Sequence, residues 1–164
     1  MLKRLTECLD NNHIKYVVLT HSPAYTASEI AAIAHVPGKE VAKTVIVNVD
    51  GKMSMAVLPA NCMVDFGVLR KTASAKTVNL ATEAEFKELF PECEVGAMPP
   101  LGNLFGMEVI VDGSLSGGHD IVFNAGSHRE LIRMAYPDFE QLVHPKVLSF
   151  GKPRRTPEDD VDVM

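Results

Sequence analysis

Leu2, Leu5, Cys8 and Leu9 recur at the spacing of one helical face and predict an amphipathic helix that stops near Asn11 and Asn12. Tyr16 to Leu19 reads as a short strand, and His21-Ser22-Pro23 as a turn, since proline biases the residue before it away from helix. Thr26 and Glu29 stand at capping-box spacing and open a helix through Ile30 and Ile33 to about His35, where Pro37 and Gly38 stop it.

The run from Val41 to Val49 changes period. Side chains alternate across a strand, so Val41, Lys43, Val45, Val47 and Val49 share one face, and Ala42, Thr44, Ile46 and Asn48 the other. One lysine stands in a row of valines. A buried ammonium is costly without a partner or ligand. Lys43 therefore either meets a ligand, or lies at the strand end with its head in water, or blunts an exposed edge.

Asp50-Gly51 is a two-residue hairpin signal that joins this strand to an antiparallel neighbour, Met53 to Leu58. Asp65 to Lys71 reads as a short helix and Thr77 to Leu80 as a short strand, and Thr82 with Glu85 forms a second capping box whose helix ends before Pro91. Gly96 to Asn103 is too rich in glycine and proline for regular structure and predicts a shaped loop. Strands at Met107–Val111 and Asp120–Phe123 are linked by Asp112 to Gly118. A second irregular segment, Asn124 to His128, leads into a strand at Glu130–Ala135, which Tyr136-Pro137 breaks before a last helix around Asp138 to Leu142. Strands outnumber helices and many neighbours join through tight turns. The expected fold is α+β, a single domain with a central mixed, mostly antiparallel, barrel-like sheet flanked by helices. The domain is expected over residues 1–150, with the charged tail 151–164 disordered.

Composition narrows the function classes. At 164 residues the chain suits one domain with one core. A net charge of −5 argues against broad, nonspecific attraction to nucleic acid and leaves room for a local basic patch, for which Lys39, Lys43, Lys71, Arg129 and Arg133 are candidates. Cys8, Cys62 and Cys93 are widely spaced and odd in number, which favours reduced thiols over a disulfide framework or a zinc site. His13, His21, His35, His119 and His144 lack ligand spacing, so neither a metal nor another cofactor is expected. The N-terminus is too polar for a secretory signal and no apolar run approaches a membrane span. A cytoplasmic protein without a membrane partner is expected.

Three features invite a common site: Lys43, the loop Gly96 to Gly102, and Gly126-Ser127-His128 at a strand end. Glycine loops let backbone N–H groups approach a ligand closely, as an oxyanion hole requires. A nearby lysine can hold a phosphate or polarise a carbonyl, and a histidine can move a proton near neutral pH or shape a pocket wall. Each feature has a plain structural alternative, since such loops are often only turns and a histidine beside a serine is often a capping residue.

The order of the motifs discriminates better than any one of them. His21 to Glu29, then Val41-Ala42-Lys43-Thr44, Asp50-Gly51, Gly96 to Gly102, Val109 to Asp112 and Gly126-Ser127-His128 together resemble the YbaK/prolyl-tRNA synthetase-associated editing domain family, over residues 1 to 145. The resemblance implies hydrolysis of the ester joining a wrong amino acid to the 3′ end of a tRNA, with alanine or cysteine on a proline tRNA as precedents. It implies Lys43, Gly126 and His128 as catalytic residues, with Thr26, Gly96, Pro100, Gly102 and Ser127 around the substrate. The tRNA acceptor end, and an aminoacyl-tRNA synthetase as a second candidate, are the implied partners. Two alternatives stand beside it: a noncatalytic module that binds a tRNA end or a synthetase, and a hydrolase of another acyl ester or nucleotide.

Overall fold

The structure, a computed structural model, describes residues 2–22 and 26–153. The proposed turn at Pro23 and the tail from residue 154 onward lie outside them. Helix α1 (Lys3–Asn11) forms as its pattern predicts, with Leu5 and Leu9 fully buried. Strand β1 (Tyr16–Thr20) follows, and α2 (Ala27–Ala34) opens on a complete Thr26/Glu29 capping box and stops at His35, whose φ of 55° is left-handed.

Strands β2 (Ala42–Val49) and β3 (Lys52–Pro59) pair antiparallel in one unbroken register from Ala42 opposite Pro59 to Val49 opposite Lys52. Asp50 and Gly51 turn the chain with φ of 50° and 82°, two positive values in succession, which a tight hairpin requires. The Asp50 carboxylate also accepts hydrogen bonds from the N–H groups of Lys76 (2.8 Å) and Thr77 (2.9 Å), and so fixes where β5 (Val78–Leu80) enters beside β2.

The main sheet runs β5-β2-β3-β6-β9, with β6 at Glu108–Asp112 and β9 at Lys146–Leu148. Its β5, β2 and β3 are antiparallel, whereas β6 and β9 add in parallel. A second sheet, β1-β8-β7, comprises β1, β8 (Glu130–Ala135) and β7 (Asp120–Asn124). Among the described residues a parallel bridge between Val41 and Val122 joins the two. The fold is therefore α+β with a mixed sheet, but no barrel closes among the described residues.

β4 (Cys62–Val64) and β10 (Gly151–Pro153) form a separate two-stranded ladder. Residues 151–153, expected in a disordered tail, are thus strand. Three-residue strands such as β4, β9 and β10 are too short to show a period. Helix α5 (Gly113–Ser116) fills part of the segment expected as a plain link, and α6 (Tyr136–Val143) begins earlier than expected. Pro137 lies in the first turn of α6, where its missing N–H has no partner to lose, so Tyr136-Pro137 starts the helix as it ends the strand.

Both faces of the main sheet are covered. Ala42, Ile46, Met55, Val57 and Val109 pack with Phe123, Ile132, Phe139 and the leucines of α1. On the other face Val47, Ala56, Leu58 and Ile110 meet Leu69 of α3 (Phe66–Thr72) and Phe150. This two-sided burial explains the nearly continuous apolar run of β3.

Candidate active site

The row of valines in β2 is divided by Lys43. Val45, Val47 and Val49 pack in the cluster under α3, while Val41 belongs to a different one with Ile30 and Ala34 of α2 and with Val122. On the edge away from β3, β5 pairs only with Val47 to Val49, and the Ala81 N–H adds a last bond to the Ile46 carbonyl at 3.0 Å. At the far end the same edge bridges to β7 at Val41. Between these points no strand among the described residues pairs with that edge of β2, and there a cavity of about 310 Å³ opens, lined by Lys43, Thr44, Val45 and Ile46.

Phe66, Leu80, Glu83 and Phe86 form further walls, and Val95, Gly96 and Met98 close it from the glycine-proline loop. Lys43 is 7% exposed, whereas Leu80 and Val95 are 59% and 48% exposed. A nearly buried lysine thus lines an apolar-rimmed cavity, and burial of that kind strengthens the field of a charge by weakening its screening.

The second glycine loop supports the first. The Glu94 N–H donates to the Gly126 carbonyl at 2.8 Å and the Gly126 N–H to the Ala97 carbonyl at 2.9 Å. The Glu94 carboxylate accepts from the His128 N–H at 3.1 Å, and His128 Nε2 lies 2.8 Å from the Val95 carbonyl oxygen. Gly126 has φ of 100°, in the left-handed region that favours glycine, and a Cβ there would stand 3.0 Å from Cγ of Leu2, the residue before α1. Because the N–H groups of Gly126 and His128 are committed within the protein, they are not open to a ligand in this conformation. That alters the expectation that both glycine loops present N–H groups to the substrate.

Of the expected site residues, Lys43 and Gly96 share the cavity; Thr26, Pro100, Gly102, Gly126, Ser127 and His128 do not line it. The Thr26 hydroxyl accepts from the Glu29 N–H at 3.2 Å as a helix cap. Pro100 is buried, and Gly102 lies so close to β6 that a Cβ would stand 2.4 Å from the Met107 carbonyl oxygen. The Ser127 hydroxyl accepts from the Arg129 N–H at 3.3 Å. Arg133, a candidate for a basic patch, is engaged within the protein: Nη1 donates to the Ala34 carbonyl at 3.2 Å, and Nε lies 4.0 Å from Asp120.

Sequence reasoning missed Phe66, Leu80, Glu83 and Phe86. Leu80 had a signal, as the end of a strand shorter than its neighbour; the others had none. A second cavity of about 400 Å³ adjoins the first and includes Cys93. Burial, larger than the opposing pull of Arg4, pushes the Cys93 thiol up to about 11. It is therefore a protonated thiol at neutral pH and a poor nucleophile. Among the described residues no group of three His, Cys, Asp or Glu side chains could hold a metal ion, and no helix is long and apolar enough to cross a membrane.

Comparison with known proteins bears on this arrangement. Two proline–tRNA ligases, from Bacillus mycoides (strain KBAB4) and Bacillus cereus (strain AH187), are each 29% identical over 84 residues, a stretch that covers 51% of this chain and 15% of each ligase. The crystal structure of hypothetical protein APE2540 superposes with a TM-score of 0.81 at 22% identity, covering 92% of this chain and 100% of that one. That of a proposed trans-editing enzyme for prolyl-tRNA synthetase superposes with a TM-score of 0.78 at 21% identity, covering 92% and 96%. Identities this low speak for the fold. The model of the aminoacyl-tRNA editing domain matches residues 21–142, which includes β2, the cavity and both glycine loops, and the chain accordingly belongs to the aminoacyl-tRNA editing domain family.

Proposed function

We propose that the protein is an aminoacyl-tRNA deacylase that acts in trans, hydrolysing the ester of a small amino acid, such as alanine or cysteine, wrongly attached to a proline tRNA. The observation that carries this reading is Lys43, 7% exposed and lining one cavity with Gly96. Water adds to the ester carbonyl carbon, the bond to the ribose 3′ oxygen breaks, and that oxygen leaves with a proton. Charge develops on the carbonyl oxygen as water adds, so a fixed ammonium or N–H dipole beside it stabilises the transition state more than the ground state.

Lys43 supplies that charge, or grips the terminal phosphate or ribose, while the Gly96 segment contributes backbone dipoles. Gly126 and His128 act as positioning residues, holding Val95 and Gly96 through the bonds between the loops. No covalent intermediate and no metal enter this reading. The proton relay comes from the substrate itself, through its 2′-hydroxyl or its amino group. Editing by a separate site is chemically reasonable here, because one methylene gives a synthetase only about 1–3 kcal/mol of discrimination. The acidic chain is compatible with gripping only the single-stranded acceptor end, with a synthetase as a second partner.

The test is deacylation of a panel of mischarged tRNAs by the protein and its Lys43→Ala variant. Turnover lost in the variant while the fold persists supports the enzyme. Tight binding without turnover supports a noncatalytic module instead.

A further inference from the structure

The Lys43 cavity and its neighbour meet along Glu83, Phe86, Val95 and Met98, which line both. An aminoacyl ester branches at its Cα into a carbonyl, an α-ammonium and a side chain. With the carbonyl drawn to Lys43, the adjoining cavity is the space that can take the other two branches, and this junction lies between the two. Glu83 is the carboxylate there. Its neighbours are committed elsewhere: Glu85 accepts from the Thr82 N–H at 3.0 Å and from Asn48 at 2.9 Å, and Glu94 accepts from the His128 N–H at 3.1 Å. Glu88 lines the second cavity alone.

We propose that Glu83 binds the α-ammonium of the aminoacyl group, at the junction of the two cavities; the inference rests on the deacylase reading of the Lys43 cavity. The paired charges orient the ligand. Lys43 repels the ammonium and attracts the carbonyl oxygen, and Glu83 does the reverse, so a single direction of entry satisfies both. Glu83 occupies the first position of α4 (Glu83–Phe86), whose entry the Thr82/Glu85 capping box fixes. A carboxylate beside the amine also keeps it protonated and unable to accept a proton. The relay then falls to the 2′-hydroxyl. Acyl groups without an ammonium lose this contact, which makes Glu83 a specificity residue for amino acids over other acyl esters.

The experiment compares proline tRNA esterified with alanine and the same tRNA esterified with lactate, whose hydroxyl replaces the amine at nearly equal size. The protein is expected to prefer the alanyl ester by about tenfold in kcat/KM, chiefly through KM, the scale of one hydrogen bond to a charged group at an exposed carboxylate. In Glu83→Gln that preference is expected to fall to near one, with Glu83→Asp intermediate. Thermal melts check that each variant is folded. Equal turnover of both esters by the unaltered protein, or a preference that survives Glu83→Gln, would overturn the role of Glu83 alone. Hydrolysis of neither ester, nor of the cysteinyl ester, would overturn the deacylase reading and this inference with it.

Discussion

His128 Nε2 lies 2.8 Å from the carbonyl oxygen of Val95, a residue that itself lines the Lys43 cavity. The carbonyl can only accept, so this nitrogen carries the proton. A histidine that is 6% exposed thus holds the wall of the cavity without lining it. His128→Ala is expected to lower kcat by about tenfold, because a small displacement of a positioned group is costly to rate. His128→Gln, which can still donate, is expected to recover part of that loss. Steady-state deacylation kinetics check this; equal losses in the two variants would point to general packing.

Gly102 tests the division between packing and chemistry in the glycine-proline loop. A Cβ at 2.4 Å from the Met107 carbonyl oxygen and 2.6 Å from Val109 Cγ2 meets backbone and a β-branched side chain, neither of which yields cheaply. Gly102→Ala is expected to destabilise the fold by about 2–3 kcal/mol, a typical overpacking cost. Urea titration measures it, and a loss under 0.5 kcal/mol, within the range of an ordinary surface substitution, would contradict the account.

Much of this was legible in the sequence, for reasons that particular residues make plain. Thr26/Glu29, Thr82/Glu85 and Asp50-Gly51 are local devices whose bonds close within a few residues, and all three form as their spacing predicts. Lys43 stood out because strand period places neighbours on one face. The cavity was not legible, because it arises from where β5 ends beside β2, a relation between strands about thirty residues apart. The support of Val95 by His128 and the engagement of the Gly126 N–H were hidden for the same reason. The parallel addition of β6 and β9 also left no local trace, since nothing in either strand states its partner's direction.

Asp112 ties the last described strand to the core. Its carboxylate accepts from the N–H groups of Phe150 (2.9 Å), Gly151 (2.7 Å) and Ser114 (3.2 Å), and from the Ser114 hydroxyl. Burial acts to raise its pKa, but these bonds together outweigh it and hold the carboxyl below its usual value. A folded pKa below the unfolded one adds stability that is fully present above the unfolded value of about 3.9 and is lost as pH falls through the folded one. Asp112→Asn is expected to cost about 2 kcal/mol at pH 7 and lower Tm by about 5 °C. The gap should narrow below about pH 4. A gap that widens on acidification would contradict the assignment.

Cys93 offers a chemical check on the second cavity. With its thiol pushed up to about 11, mainly by burial, alkylation by iodoacetamide at pH 7 is expected to be much slower than for a free thiol and to rise steeply toward pH 10. Mass spectrometry of the Cys93 peptide follows the rate. Rapid labelling at pH 7 in the folded protein would contradict the half-buried, protonated thiol.

The most direct test of the central claim is single-turnover deacylation of alanyl- and cysteinyl-tRNA for proline by the protein and by Lys43→Ala at matched fold stability. Loss of one preorganised charge beside a developing oxyanion predicts a rate lower by about 10²–10³-fold in the variant, with the unaltered protein clearly above spontaneous hydrolysis. Turnover by Lys43→Ala at the rate of the unaltered protein would contradict the account.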